Sequence, residues 1–274
     1  MGLILHYDGA TWRKVQGCVT DKAGKYSADP VNEPLFAIGG LSDGRAWAVG
    51  DRGTILHFDG EHWQAETSGV RSHLRCVIAL PDGRVLSAGG DGTVLIRSQA
   101  GHWEKQTCPI HSNFVSALCL QDDTVLLAGG RYFVDANGFR GDLVLWDGTD
   151  FHKLFANTAF TRFRAVSAYN DGAIIVGDAG QMHRLSNKRI DRLDSGTTHD
   201  LLGIVNLPTG EVLTIGDFGT VLAASAKTLE DFAPYIAASD GLPAWEALAS
   251  GTDRQLWGLW HDTALAQLYA CGEE

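Results

Sequence analysis

The sequence lacks long apolar runs and clusters of basic charge. No stretch approaches eighteen consecutive apolar residues, and the chain enters patterned sequence at Gly2 without a signal-peptide pattern. We therefore expect a cytoplasmic protein with no membrane partner. The formal net charge is −11. Binding to nucleic acid is not expected, because contacts to phosphates require a basic face. A protein partner with a basic surface is compatible with this charge.

Cysteine is also scarce. The five cysteines are an odd number without paired close spacing, which favours reduced thiols over a disulfide framework or a zinc site. Cys76 and Cys119 are expected to be small core residues. The ten histidines are scattered and show no zinc-binding spacing. The sequence therefore predicts no cofactor and no metal.

What the chain does have is an internal repeat. Residues 2–12, GLILHYDGATW, match residues 53–63, GTILHFDGEHW, at seven of eleven positions. The same frame returns in three further copies, in a stretched copy at 127–151 and in a degenerate copy at 254–266. The marker position of successive copies is occupied by Gly50, Gly89, Gly129, Gly177, Gly216 and Leu259. The steps between them are 39, 40, 48, 39 and 43 residues.

A period near forty residues is typical of propeller blades, whereas helical repeats would place apolar residues every three or four positions. One copy reads as four short strands, LRCVIAL, RVLSAGG, TVLIR and HWEKQ, separated by turns that contain glycine. Glycine at the tight turns supplies positive φ. Because single blades cannot bury their apolar faces alone, neighbouring blades must stack around an axis.

We predict an all-β fold, a single β-propeller domain over residues 1–274 with about six four-stranded blades. The N-terminal fragment begins at the third strand of a repeat. The C-terminal unit, with AWEALAS, RQLWGLW and TALAQLYA, lacks its own fourth strand. Strands from the two ends are therefore expected to complete one blade and remove an exposed edge. Seven blades are the alternative, if residues 16–34 or 230–245 contain further strands.

The segment AVGDRGTILHFDGEHW resembles bacterial propeller repeats grouped with the photosystem II stability-factor-like, YVTN-like and BNR or WD40-like proteins. Its specific part is a Gly-Asp-x-Gly-Thr turn followed by a strand and an Asp-Gly-x-x-Trp hairpin. The hairpins also resemble the Asp-box of sialidase-type propellers. That resemblance implies structural rather than catalytic roles for a set of aspartates and tryptophans: Asp8, Asp59, Trp12, Trp63 and Trp103. It implies an architecture, and fold alone does not determine activity.

In a propeller, the turns between second and third strands share one face with the loops that link blades, and this face commonly binds partners. Repeat aspartates are expected in those turns: Asp51, Asp91, Asp178, Asp217 and Asp262. Loop residues expected beside them are Arg71, His73, His111, Asn113, Arg162, Arg164, His199 and Asp200. These residues predict a polar binding surface. The alternative is that each aspartate only closes its own turn.

The third repeat carries about nine extra residues, Tyr132 to Arg140, in a turn that is short elsewhere. The extra hairpin should project from the same face. Its aromatic and arginine residues, Arg131, Tyr132, Phe133, Phe139 and Arg140, are of the types enriched in binding hot spots. Alternatively, the aromatics fold back onto the blade. Asp135, Asn137 and Asp142 match a calcium loop poorly.

Catalytic signatures are not found in the sequence. A sialidase-like site needs an arginine cluster with a tyrosine and a glutamate. Arg71, Arg75, Arg162 and Arg164 could supply the cations, but the other two residue types do not recur near them. We therefore predict a non-catalytic, protein-binding bacterial propeller, with toxin or effector neutralisation as an immunity protein as its narrower role. The alternatives are a glycan-binding or glycan-cleaving propeller and an assembly-factor scaffold.

Overall fold

The structure of the protein is a computed structural model. Four-stranded antiparallel sheets make up most of it. The structure describes residues 4–7, 11–15, 33–133, 138–156, 161–225, 245–262 and 267–273. Internal contacts divide the chain into two compact units, 1–114 and 115–274. That both belong to one domain stays a prediction. Within the described ranges, no helix has the length and apolar character needed to cross a bilayer.

In its described residues, the first unit contains a two-stranded hairpin and two four-stranded sheets. The hairpin pairs β1 (Ile4–Tyr7) with β2 (Trp12–Val15). One sheet consists of β3 (Leu35–Gly40), β4 (Ala46–Gly50), β5 (Ile55–Phe58) and β6 (Trp63–Glu66). The other consists of β7 (Leu74–Ala79), β8 (Val85–Gly89), β9 (Val94–Arg97) and β10 (Trp103–Gln106). In both sheets each strand pairs with the next along the chain, which confirms the four strands predicted for this repeat.

The described part of the second unit contains three four-stranded sheets and one two-stranded sheet, all built in the same order. Its first sheet consists of β11 (Asn113–Cys119, beginning just before the unit boundary), β12 (Val125–Phe133), β13 (Gly138–Trp146) and β14 (Phe151–Ala156). The next consists of β15 (Phe163–Tyr169), β16 (Gly172–Gly177), β17 (Met182–Ser186) and β18 (Arg189–Leu193). The third sheet consists of β19 (Leu201–Asn206), β20 (Val212–Gly216), β21 (Val221–Ala224) and β22 (Glu246–Ala247). The two-stranded sheet pairs β23 (Leu256–Asp262) with β24 (Gln267–Gly272).

The sheets of each unit are held together by apolar side chains between successive sheets. In the first unit, Trp47 and Ile55 of one sheet pack with Leu74 and Leu95 of the next, all at most 1% exposed. Ile4 of the hairpin packs against the β3–β6 sheet. In the second unit, equivalent clusters lie between β11–β14 and β15–β18 and between β15–β18 and β19–β22. This is the face-to-face stacking expected of blades.

Within the ranges that the structure describes, short 3-10 turns follow the second strand in four sheets. They are η1 (Asp51–Gly53), η2 (Gly90–Gly92), η3 (Asp178–Gly180) and η4 (Asp217–Gly219). The last glycine of each turn has φ between 64° and 74°, so the predicted role of the turn glycines is confirmed. The marker glycines are extended and are kept for another reason. At Gly216, for example, a Cβ would overlap the carbonyl oxygen of Asp200.

Two details of the C-terminal repeat differ from the prediction. The marker position belongs to Gly272, because the N–H of Glu273 donates to the carbonyl of Gln255 as the N–H of Asp217 donates to Asp200. Leu259 instead lies within β23. The segment AWEALAS contains β22, the fourth strand of the preceding sheet. Its alternation of apolar residues could not show which sheet it would join.

In the repeat frame, β23 and β24 are therefore first and second strands, and β1 and β2 match the third and fourth strands β5 and β6. Completion of one blade by the two ends stays a prediction. So does the count of six blades rather than seven, because most of residues 16–34 and 230–245 lie outside the described residues.

Candidate functional site: a polar surface at the turns

The repeat aspartates occupy two different positions in the turns. Asp51, Asp178 and Asp217 are the first residues of η1, η3 and η4, whereas Asp91 is the middle residue of η2. Asp91 is therefore not equivalent to the others, although the sequence suggested that it was. Asp262 lies at the end of β23. Asp51 accepts the N–H of Arg52 within its own turn, and all three first-position carboxylates also bind side chains outside their own turns.

Asp178 is the centre of the most connected group of candidate residues. Its carboxylate accepts hydrogen bonds from the Nε atoms of Arg162, at 2.9 Å, and Arg164, at 2.5 Å. The backbone N–H of Arg162 donates to it as well, at 3.1 Å. The side chain of Asp178 is 13% exposed, while those of the two arginines are 31% and 28% exposed. Two guanidiniums at the surface thus share one largely buried carboxylate.

The pKa of Asp178 reflects two opposing effects. Burial alone would raise the pKa of this carboxyl, but the hydrogen bonds and charges of Arg162 and Arg164 outweigh it, and the pKa lies below its ordinary value. The group is therefore ionised at neutral pH. This arrangement holds both arginines in place and does not resemble a poised general acid.

The group extends in both directions from Asp178. Toward the following sheet, the carboxylate of Asp200 accepts the N–H of Ala179 at 2.7 Å and lies 3.8 Å from a terminal nitrogen of Arg164. Toward the preceding sheet, the guanidinium of Arg162 lies over the ring of Phe139, 4.0 Å from its centroid. A cavity of about 550 Å³ adjoins the group, lined by Ala179, Gly180 and residues 192–198. The sequence had given no sign of this cavity.

The extra hairpin of the third repeat is an extension of the β12–β13 ladder. Arg131 pairs with Arg140 and Tyr132 with Phe139, and both guanidiniums lie on the ring of Phe133, at 4.3 and 4.7 Å. Phe133 and Phe139 are thus half-buried among arginines, while Tyr132 is 48% exposed. The prediction of a hairpin is confirmed. Two of its aromatic rings, Phe133 and Phe139, pack against arginines, whereas Tyr132 is exposed.

The calcium alternative gains no support from this hairpin. Asp135 and Asn137 lie outside the described residues, and Asp142 is paired with Lys153 at 2.6 Å. Among the residues that the structure describes, no group of three or more histidine, cysteine, aspartate and glutamate side chains is arranged to hold a metal ion.

The first unit brings together fewer of the candidate residues. Asp51 is in contact with the ring of His73, and Arg71 is exposed in the loop before β7. Asp91 lies 3.1 Å from His111, and its backbone N–H donates to Asn113. These pairs are exposed and small, in contrast with the group around Asp178.

His199 and Asp217 have partners of their own in the second unit. The Nδ1 atom of His199 lies 2.7 Å from the Oγ1 atom of Thr220, and its ring lies 4.9 Å from that of Phe218. Asp217 accepts a hydrogen bond from the side-chain amide of Gln255, and Gln255 in turn accepts one from the indole N–H of Trp257. Sequence reasoning missed Phe218, Gln255 and Trp257.

A shared feature of the first strands could have identified Trp257. In five sheets the pairing between first and second strands shifts by one residue near the start of the first strand, which is a β-bulge that redirects a side chain. The bulged residues are Phe36, Arg75, Arg164, Leu202 and Trp257. Phe36 and Trp257 are 43% and 54% exposed. Aligning the first strands of the repeats, and not only the glycine turns, would have shown this position.

The Asp-box residues are structural where the structure describes them. Asp59 accepts the N–H groups of Glu61 and His62 at 2.9 and 2.7 Å, and these bonds lower its pKa. Trp63 is buried and Trp103 is half-buried. Asp8 lies outside the described residues, as does the side chain of Trp12.

Comparison with known proteins supports the fold. No family model matches the chain, and neither does any curated protein sequence. The solved structure of YCF48 from Cyanidioschyzon merolae superposes with a TM-score of 0.66 at 15% identity, covering 99% of this chain and 86% of that one. A structure of YCF48 bound to D1 peptide gives a TM-score of 0.66 at 13% identity, covering 97% and 80%. At these identities the likeness shows the fold alone: the chain is an all-β propeller, as predicted.

Proposed function

We propose that the protein is a non-catalytic β-propeller that binds a segment of a partner protein. The binding site is the arginine surface, defined as Phe139, Arg162, Arg164, Asp178 and Asp200. The observation that carries this proposal is that two half-buried guanidiniums share one carboxylate. Both use Nε for Asp178, so their terminal nitrogens can bind carboxylates or backbone carbonyls of a partner.

The composition of this surface supports binding over catalysis. Arginines and aromatic rings with fixed geometry are the residue types that dominate protein interfaces. The cations are held by aspartates and by Phe139, not by the tyrosine and glutamate of a sialidase-type site. A solved structure of similar fold, YCF48, has been determined bound to D1 peptide, which is consistent with a peptide-binding role for this chain. We favour an assembly factor among protein-binding roles.

Neutralisation of a toxin or effector is a second candidate, and the net charge of −11 is the observation that favours it. An acidic protein suits a basic toxin. Identification of the neighbouring reading frame tests this role, because a toxin and its neutraliser are expressed together. A neighbouring frame that encodes a protein with no growth-inhibiting activity on its own would count against it.

The binding proposal is tested by capture of the partner from the native cell extract after cross-linking. The Arg162→Gln/Arg164→Gln double variant should retain about tenfold less of a stoichiometric partner than the unmodified protein. Arg189→Gln is the matched control, because Arg189 is an exposed arginine of the same unit whose Nε donates to Asp191 at 2.9 Å. It should retain the partner in full.

A second variant tests the hairpin. Tyr132→Ala/Phe133→Ala should also weaken capture if the hairpin contributes to the interface. Equal capture by the arginine double variant and the control, with both proteins folded by circular dichroism, would refute the arginine surface as the binding site. Hydrolysis of a sialoside by the purified protein would refute the non-catalytic assignment.

A further inference from the structure

Phe218 combines two unfavourable features. It is the middle residue of η4 with φ 53° and ψ 37°, a left-handed conformation that is strained for bulky side chains. Its side chain is also 70% exposed, so it contributes little to the core. Since neither the backbone nor the packing favours phenylalanine here, a role outside folding is indicated.

The other turns show that the repeat does not require an aromatic residue at this position. The equivalent residues are Arg52, Asp91 and Ala179, with φ of 49°, 51° and 55°. All four turns adopt the same conformation with unrelated side chains. Phe218 is therefore specific to η4 and is not required by the fold.

Phe218 lies among other groups that face the surface. His199 lies beside it, at 4.9 Å between ring centroids, and Asp217 precedes it in the turn. Trp257, 54% exposed, is connected to Asp217 through hydrogen bonds made by Gln255. We name His199, Asp217, Phe218 and Trp257 the aromatic patch. The N–H of Asp217 donates to the carbonyl of Asp200 at 3.0 Å, so the patch adjoins the arginine surface.

The chemistry of the patch selects one class of ligand. The indole N–H of Trp257 and both ends of the Gln255 amide are engaged with neighbours, so they are not offered to sugar hydroxyls. What the patch presents is aromatic surface beside the carboxylate of Asp217. Such a combination attracts a cation. Nearby Arg254 is 3.9 Å from Asp253, and this exposed pair adds no net charge.

We propose that the aromatic patch binds an arginine or lysine side chain of the partner protein. This inference deepens the proposed function and rests on it. Because the adjacent arginine surface attracts carboxylates, the bound segment would lie in one direction, with its acidic part at Arg162 and Arg164 and its basic residue at Phe218.

The first test is a measurement of stability that needs no partner. Asparagine accepts the left-handed region more readily than phenylalanine, so Phe218→Asn should raise Tm by about 2–4 °C. Arg52→Asn, at the equivalent position of η1, is the control for a turn outside the patch. A fall in Tm for Phe218→Asn would show that Phe218 supports the fold, and it would overturn the proposal.

The second test uses a defined probe. A capped glycine pentapeptide with one central arginine is titrated into the protein, and the indole N–H resonance of Trp257, assigned with Trp257→Phe, is followed by NMR. The arginine peptide should shift this resonance, and its neutral citrulline analogue should bind about three- to thirtyfold more weakly. Phe218→Asn should weaken binding of the arginine peptide to a similar extent, whereas Arg52→Asn should leave it unchanged.

Equal binding of the citrulline peptide, or preferential binding of an oligosaccharide such as sialyllactose, would overturn the proposal. The Arg162→Gln/Arg164→Gln variant separates the two hypotheses. If it keeps both its partner and the response to the arginine peptide, the arginine surface is refuted and the patch stands. If the double variant loses its partner and the unmodified protein does not bind the arginine peptide, the proposed function stands and the patch is refuted.

Discussion

The two units each contain a carboxylate that binds arginine, and the two networks differ in how much their arginines are exposed to solvent. In the first unit, Glu66 accepts hydrogen bonds from Nε and from a terminal nitrogen of Arg97, the shortest at 3.0 and 2.7 Å, and one from the indole of Trp103 at 2.7 Å. His57 lies 3.2 Å away. The side chains of Glu66 and Arg97 are 16% and 10% exposed. In the second unit, Asp178 holds two arginines whose side chains are about three times as exposed as that of Arg97.

Arginine–carboxylate pairing stabilises the fold in the first unit, whereas in the second unit we propose that it presents arginines for binding. The guanidinium of Arg97 is bound on one side by Glu66 and lies 5.2 Å from the ring centroid of Trp47, so it joins the β3–β6 sheet to β7–β10. Arg162 and Arg164 are held through their Nε atoms by Asp178, with Phe139 against Arg162 and Asp200 3.8 Å from Arg164, and their side chains remain 31% and 28% exposed. Because the first network is buried, we expect loss of its carboxylate to reduce stability strongly. Because the arginines of the second network are exposed, we expect loss of its carboxylate to affect binding.

The largest expected effect is the loss of Glu66. Glu66→Ala leaves Arg97 buried without its carboxylate, which should lower the free energy of unfolding by about 3–5 kcal/mol. Urea denaturation followed by circular dichroism measures this change. Partner capture by the folded fraction should remain as in the unmodified protein.

Glu61→Ala is the control for this substitution, because the side chain of Glu61 is 85% exposed and its loss should change stability little. A Glu66→Ala protein as stable as the control would show that the network is not a structural tie between the two sheets. The contrast between the units would then fail.

Asp178 is expected to have a smaller effect on stability. Asp178→Asn removes the charge that holds Arg162 and Arg164, and we expect a loss of about 1–3 kcal/mol at pH 7. Because the pKa of Asp178 is lowered in the folded protein, its contribution is fully present above the ordinary carboxyl pKa of 3.8 and is lost as the pH falls through the lower folded value.

The difference in stability between the Asp178→Asn variant and the unmodified protein should therefore be smaller near pH 3 than at pH 7. Partner capture should fall as well, because the arginines lose their fixed orientation. A difference that is constant across this pH range would show that the carboxylate charge is not what holds the arginines.

The repeat made the architecture predictable, but side-chain networks were beyond the sequence. Strand order followed from glycine turns and apolar runs, because the backbone demands them in every copy. The partnership of Glu66 with Arg97 spans 31 residues and depends on how adjacent sheets stack. Phe218 was overlooked for the opposite reason. It lies in a turn that was interpreted from its glycines and aspartate, and only the φ of 53° in the structure shows that its residue type is unexpected.

The smallest expected effect concerns the contact between Asp51 and His73. It belongs to the same unit as Glu66 but is open to water, with side chains 21% and 54% exposed. His73→Ala should therefore change the free energy of unfolding by no more than about 1 kcal/mol, since exposed ion pairs contribute little. Urea denaturation alongside Glu66→Ala measures both under the same conditions. Because the two contacts share a unit, a loss for His73→Ala as large as that for Glu66→Ala would show that burial does not decide which carboxylates stabilise this fold.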